Sequence, residues 1–369
     1  MKNICYILSG INTALAFEWI NELLDHRKFK LHFVLLHHAK GSFEQSLIEK
    51  DTPYIRINYR NKKDLPIAIY KTIKYLKNNQ IQIVHSHLLD AGIIGSIAAI
   101  FSGIKTRIYT RHYSTYHHTF HPKGVYYDRL INALSSKIIA VSKVVEKVLI
   151  ENEKVNAAKV EIIHHGFPLA QFSAIDPRKL LLMKNKYIGN VKYPVIGVVS
   201  RHTQWKGIQY IIPAFAQLLR QYPDAHLVLA NAKGEYHATI ENLLKQLPAR
   251  NYTEIVFEED LFTLFKCFDV FVHTPIDHHS EAFGQVYIEA MASGIPSVFT
   301  KSGIGNEIIR HKINAIEVPY CDSQSIESGI LTLLQDKQLY NSISAEAKKT
   351  VAQEFELNTM IQKLTNLYE

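Results

Sequence analysis

At 369 residues the chain is long for one ordinary domain, and two domains that each bury a core of their own are expected. A hydrophobic content of 47% fits a folded globular protein, and the three cysteines, Cys5, Cys267 and Cys321, lack both CxxC and metal-ligand spacing, which favours a reduced, cytoplasmic chain over a disulfide-stapled one. The formal net charge of +8 suits nucleic acid, anionic lipid or a phosphorylated substrate and by itself selects none of them.

The opening run MKNICYILSG reads as a buried strand instead of a signal peptide, because its apolar run is short and no cleavage-like segment follows. Further strands are expected over 31–36, 54–57, 81–85, 106–110, 137–141 and 160–163, the first covering 4–8. Helices fit around 15–24, 66–77, 91–101 and 143–151. The apolar stretch AGIIGSIAAIFSGI falls short of the roughly 18 residues that a membrane span needs.

The segment YRNKKDLPIAIYKTIKYLKNN places Arg60, Lys62, Lys63, Lys71, Lys74 and Lys77 in and before the helix at 66–77. Asp64 is expected to cap that helix, Pro66 to sit in its first turn, and Ile69, Ile73 and Leu76 to form its apolar face. The cations read either as the solvated face of a helix packed on a sheet or as a peripheral docking face for an anionic membrane.

A polar, Pro-containing passage then breaks the rhythm, and the alternation resumes with YPVIGVVS, GIQYIIPAFAQLLRQY, AHLVLA, TEIVF, DVFVHT, PSVFT and AIEVPY. Such alternation argues two doubly wound α/β domains with parallel sheets. The expected division is 1–170, a linker at 171–193, 194–350, and a helix at 351–369 that packs back on the first domain. Two such domains leave an interdomain cleft, and ligands of open α/β sheets bind outside the carboxyl ends of the strands.

Glu281 and Glu289 stand eight positions apart in SEAFGQVYIEAMASGIP. On one helix they would be separated by ~12 Å along the axis and ~80° around it. Two carboxylates acting on one glycosidic bond need roughly 5–9.5 Å. Instead, Glu281 fits the loop before a sharp turn at Gly284, with a helix starting near Gln285. Free N–H groups at that helix start suit a phosphate, and the flanking carboxylates suit hydroxyls. A nucleotide-sugar combines both.

The run from Glu281 through Ala282, Phe283, Gly284, Gln285 and Glu289 to Pro296 resembles the donor motif of the retaining glycosyltransferases of family 4, which have the GT-B fold. SRHTQWKG, residues 200–207, resembles that family's basic loop. The resemblance implies that Arg201 and Lys206 hold the donor diphosphate, Glu281 the transferred sugar and Glu289 the ribose. Preorganised cations stabilise a departing diphosphate, and one charge at 4 Å is worth roughly 4 kcal/mol at an effective dielectric of 20. The resemblance also implies metal independence and no cofactor, and no Asp-x-Asp triplet occurs.

In the first half, IQIVHSHLLDAGIIGSIAAIFSGIKTRIYTRHYS resembles the same family through His85, His87, Thr110 and His112, and implies that His112 faces the reacting sugar. VEIIHHGFPLAQF resembles an Asn-Gly-Val-Asp segment with His165 and Pro168 at its ends, and SGIGNEII a Gly-rich loop before Glu307. LSGINTA implies diphosphate contacts by Gly10, Ile11 and Asn12. LANAKGEY and VFEED depart from the family pattern where the base binds, which leaves the base open between uracil and guanine; a UDP-sugar is the favoured donor and a GDP-sugar the second. The acceptor is expected to be a hydroxyl of a glycan or lipid-linked molecule.

Two other functions are weighed, a nucleotide-sugar epimerase of the same fold and a basic nucleic-acid-binding protein. No recognised nucleic-acid-binding motif occurs, so no nucleic-acid partner is expected. The nineteen histidines raise a metal site at His112, His117, His118 and His121. Pro122 and the β-branched and aromatic neighbours argue against a helix there, and no acidic or Cys ligand has an evident place beside them, so a polar aromatic loop is expected. Asp128 and Arg129 read as a cap or a surface ion pair.

Overall fold

A computed structural model of the protein describes residues 1–11, 15–39, 41–173, 175–189 and 192–369. Asn12, expected beside Gly10, lies outside them. The chain divides into two units: residues 1–166 with 358–369, and residues 167–357.

Among the described residues, the first unit builds one sheet from β1 (Lys2–Ser9), β2 (Phe29–Leu36), β3 (Tyr54–Ile57), β4 (Ile83–His87), β5 (Thr106–Arg111), β6 (Lys137–Ala140) and β7 (Val160–Ile162). The order is β3-β2-β1-β4-β5-β6-β7, and every pairing is parallel. Ile4 to Leu8 are at most 1% exposed, as a central strand covered on both faces requires. Strand β4 runs to His87, two residues beyond the expected end, and so presents His85, Ser86 and His87 in the sheet itself.

The helix over Leu65–Asn78 starts as its sequence suggests, with Pro66 in its first turn, but Asp64 caps differently. Its carboxylate accepts from the Arg60 N–H at 2.8 Å, while Asn61 accepts from the Lys63 N–H and caps the preceding turn. Ala68, Thr72 and Leu76 form the buried stripe, and Ile69 and Ile73 pack partly buried beside it. All six basic residues of this segment are exposed.

Two expectations about the loop after β5 are overturned. A short helix does form over Tyr116–Phe120, ending before Pro122, which therefore interrupts nothing. Acidic partners also exist, since Asp128 and Glu153 are buried against it. Asp128 is neither a cap nor a surface ion: it accepts from Arg111 at 3.0 Å, from the Tyr113 hydroxyl at 2.5 Å, and pairs with His117 Nδ1 at 2.7 Å. Glu153 accepts from Arg111 at 2.6 Å and Asn132 at 2.6 Å, with His118 Nε2 at 3.2 Å. Arg111, fully buried, is the shared cation.

The second unit repeats the architecture with β8 (Val195–Val199), β9 (His226–Ala230), β10 (Tyr252–Ile255), β11 (Val270–His273), β12 (Ser297–Phe299) and β13 (Ile316–Glu317). Their order is β10-β9-β8-β11-β12-β13, again parallel throughout. The stretch 171–193, expected as a linker, holds a helix over Pro177–Tyr187 and belongs to this unit. Asp176 accepts from the Arg178 N–H and Pro177 opens the helix, a start signal inside a passage that reads as polar connection.

The carboxyl-terminal segment contains two helices, Lys337–Glu354 and Leu357–Tyr368, separated at the buried Phe355. Backbone bonds from Phe167 N to Phe355 O (2.9 Å) and Leu357 N to Phe167 O (3.1 Å) fix the break. Tyr368 then inserts into the first unit, where its hydroxyl meets those of Tyr6 and His85 Nδ1, the latter at 2.7 Å. Among the described residues, no helix is long and apolar enough to cross a membrane.

Candidate active site

In the second unit the loops at the carboxyl ends of β8, β11 and β12 gather the donor-motif residues. Ser200 N extends the β8 ladder to Ala230 O, and the chain then turns through 201–206. Gly207 stands at φ +75° and begins the helix over Ile208–Leu218. A Cβ on Gly207 would lie 1.9 Å from the Thr274 carbonyl oxygen, so only glycine lets this turn touch the end of β11. Gly207→Ala is expected to destabilise the protein by about 2 kcal/mol or more, measured by urea unfolding; an unchanged midpoint would contradict this packing.

That turn delivers Lys206 to Glu281. Lys206 Nζ is hydrogen-bonded to Glu281 Oε1, and His273 Nε2, at the end of β11, lies 3.1 Å from the same oxygen. All three side chains are at most 16% exposed. Burial drives the Glu281 carboxyl upward, but the Lys206 charge and His273 outweigh it and hold the group down to about 2. Glu281 is therefore an anion across the neutral range and cannot serve as a proton donor there.

The loop carrying Glu281 is fixed from below. Its backbone N–H donates to Ser302 Oγ at 2.9 Å, and the Phe283 carbonyl accepts from Ile304 N at 2.8 Å. Phe283 itself is buried, stacked on Phe167 and edge-on to Phe355, so its side chain is part of the core. Ala282 is half-buried. Gly284, at φ +85°, opens the helix over Gln285–Ser293, with Gln285 exposed at its first position.

Glu289 lies one turn into that helix, half-buried, and burial pushes its carboxyl up to about 7. The structure thus separates the two glutamates chemically as well as in sequence: one is clamped by a cation, the other is held near its midpoint at neutral pH. Arg201 is exposed at the start of the same loop as Lys206.

The first unit supplies a distinct set. His112 follows β5, its Nε2 lies 2.9 Å from His87 Nδ1, and its ring stacks on that of His165 with centroids 5.5 Å apart. His85 bridges Tyr368 and Thr110, each at 2.7 Å. Burial first, and the neighbouring imidazoles second, push His112 down to about 3, and burial does the same to His85. The array is neutral at neutral pH and suited to hydrogen bonding with uncharged hydroxyls. Gly10, exposed at the end of β1 with φ +65°, has open space where a Cβ would stand.

Reading the sequence misses His273 as a Glu281 partner. Its only signal is a polar residue at the carboxyl end of a buried strand. His165 is noted as a departure from a motif, and its stacking on His112 is what the departure supplies.

Two parallel α/β sheets in this order, with carboxylate, lysine and a glycine-opened helix start at the strand ends of the second, place the chain in the GT-B fold class. The model for glycosyltransferase family 4 matches residues 15–171 and that for glycosyl transferases group 1 matches residues 183–350. The chain belongs to this family.

An uncharacterized glycosyltransferase of Methanocaldococcus jannaschii is 30% identical over 239 residues, 64% of this chain. That match spans 60% of the archaeal protein's length. The Escherichia coli UDP-Gal:alpha-D-GlcNAc-diphosphoundecaprenol alpha-1,3-galactosyltransferase is 22% identical across 98% of this chain and 94% of its own length. Among solved structures, Anabaena HepE in complex with UDP and glucose superposes with a TM-score of 0.85 at 21% identity, covering 100% of this chain and 99% of that one.

Proposed function

We propose that the protein is a retaining glycosyltransferase that moves a sugar from a UDP-sugar to a hydroxyl of a glycan or lipid-linked acceptor in cell-surface polysaccharide synthesis. The observation that carries this reading is the buried Lys206–Glu281–His273 cluster beside the helix start at Gly284. Glu281, ionised and aimed by two partners, accepts hydroxyls of the transferred sugar. Lys206 and Arg201 take the diphosphate, Gln285 and the helix N-terminus add backbone donors, and Glu289 binds the ribose. His112 is the group of the first unit assigned to the sugar, as a neutral hydrogen-bonding ring.

In the proposed reaction the bond from the anomeric carbon to the diphosphate oxygen breaks while the acceptor oxygen bonds the same face. The acceptor proton passes to the departing phosphate oxygen, and the side-chain cations stabilise the charge that develops, with no metal assigned to the step. No protein nucleophile is assigned. The similarity to the E. coli UDP-Gal:alpha-D-GlcNAc-diphosphoundecaprenol alpha-1,3-galactosyltransferase supports a UDP-sugar donor and a lipid-linked acceptor, and the HepE structure holds UDP.

A thermal-shift screen of nucleotide-sugars at pH 6 and pH 8 tests the reading, because a ligand that binds the folded state raises its apparent stability. With Glu289 near 7, its hydroxyl-accepting anion is scarce at pH 6 and dominant at pH 8. UDP-sugar affinity is therefore expected to rise about tenfold over that interval, and Glu289→Gln to remove the dependence. Failure of every UDP-sugar and GDP-sugar to shift the transition would overturn the proposal.

The exposed face around Arg60, Lys62, Lys63, Lys71, Lys74 and Lys77, with Ile67 and Tyr70 beside it, supports peripheral attachment to an anionic membrane. Vesicles containing anionic lipid are expected to retain the protein at low salt and release it at high salt. No retention at low salt leaves only a solvated helix face.

A further inference from the structure

Outside the Lys206–Glu281–His273 cluster, three side chains of the second unit converge on one point. His202 follows Arg201 in the loop after β8, His237 opens the helix over His237–Leu244, and Glu254 stands in β10. His202 Nδ1 lies 2.9 Å from His237 Nδ1, and Glu254 Oε1 lies 3.9 Å and 3.8 Å from these two nitrogens. Three atoms at those separations share a point about 2.1 Å from each, the length of a zinc–nitrogen or zinc–oxygen bond.

Hydrogen bonding explains only part of this arrangement. A shared proton accounts for the two nitrogens, but Glu254 Oε1 is buried and has no hydrogen-bond partner among the described residues. A buried carboxylate oxygen facing two ring nitrogens, both beyond hydrogen-bond reach, loses its hydration without a bond to replace it. A cation at the common point would satisfy all three donors at once.

The ligands are also held in place by backbone. His202 N donates to Lys233 O and Tyr236 N donates to His202 O, each at 2.9 Å, and the His202 and His237 rings stack at 5.1 Å. Gly234 makes the close approach feasible: at φ +150°, a Cβ there would lie 2.3 Å from the His202 carbonyl oxygen. The His202 side chain is fully buried.

We propose that His202 Nδ1, His237 Nδ1 and Glu254 Oε1 form a site for a divalent transition-metal ion of the zinc type, with water completing a tetrahedral shell as the donor atoms adjust toward the ~3.4 Å separations of that geometry. The ion fastens the loop that carries Arg201 to β10 and to the helix over His237–Leu244. Its role is to hold these elements, separate from the chemistry at Glu281.

The test uses untagged protein stripped with a chelator, dialysed, and titrated with zinc sulfate by calorimetry, with cobalt(II) chloride followed in parallel by its visible bands. Surface histidines bind zinc weakly, so the variants decide. The expected result is one tight zinc per chain, a thermal transition raised by zinc and unmoved by magnesium, and tetrahedral cobalt absorption. His237→Ala and Glu254→Gln, both at partly exposed side chains, are expected to stay folded and to weaken that site by at least about tenfold. Binding of undiminished affinity in both variants, or no saturable zinc binding by the unsubstituted protein, would overturn the site and leave a hydrogen-bonded histidine pair.

Discussion

Glu281→Ala is expected to lower kcat/KM for sugar transfer by about 10²–10³-fold while the purified variant unfolds cooperatively. The expectation rests on the clamp in the second unit. Lys206 and His273 hold the Glu281 carboxylate ionised and in place, which is the arrangement the proposed hydroxyl contacts require. Deleting Glu281 leaves Lys206 without its counter-ion and removes the sugar contacts proposed for the carboxylate.

Lys206→Ala is expected to lose transfer to a similar degree, but it also leaves a buried carboxylate with His273 as its remaining partner in the cluster. Lys206→Arg retains the charge and separates the two effects: it should restore stability more fully than activity, because a planar guanidinium does not reproduce a point charge. Near-normal turnover by folded Glu281→Ala would remove Glu281 from the site.

Arg111→Met is expected to destabilise the protein by about 3–5 kcal/mol, read from urea unfolding. Arg111, Asp128 and Glu153 are all fully buried at the side chain, and the guanidinium donates to both carboxylates. Methionine fills much of the volume but leaves two buried acids to be served by His117, His118, Tyr113 and Asn132. The double variant with Asp128→Asn should recover part of the loss, since it removes one of the stranded charges. A change below about 1 kcal/mol would show that the cluster is not held by its cation.

The parallel sheets were legible because their strands are short apolar runs separated by amphipathic helices, and the boundaries of β3 and the start of β5 coincide with the runs themselves. The loops at 201–207 and 281–285 were legible for a similar reason: Gly284 and Gly207 mark turns that other residues cannot make, and the charged residues beside them stand at strand ends. Asp128 was not legible. Arg111 stands 17 positions from Asp128 and 42 from Glu153, and only folding brings the three to one buried point.

The helix at Pro177–Tyr187 was hidden by its polarity, since a single buried residue, Met183, gives almost no periodic signal. His273 was hidden in the opposite way. It sits in an apolar strand whose pattern announces only burial, and its partner Glu281 lies beyond a loop. The difference in ionisation between Glu281 and Glu289 is likewise a product of environment, one beside a lysine and the other half-buried, which spacing alone does not record.

The most direct test of the central claim is proton NMR of the anomeric centre during incubation of the protein with an α-linked UDP-sugar and a panel of glycan and lipid-linked hydroxyl acceptors. Retaining transfer predicts free UDP together with a new anomeric signal of α configuration, absent with Glu281→Ala. A product of β configuration, or an altered sugar still attached to UDP, would contradict it.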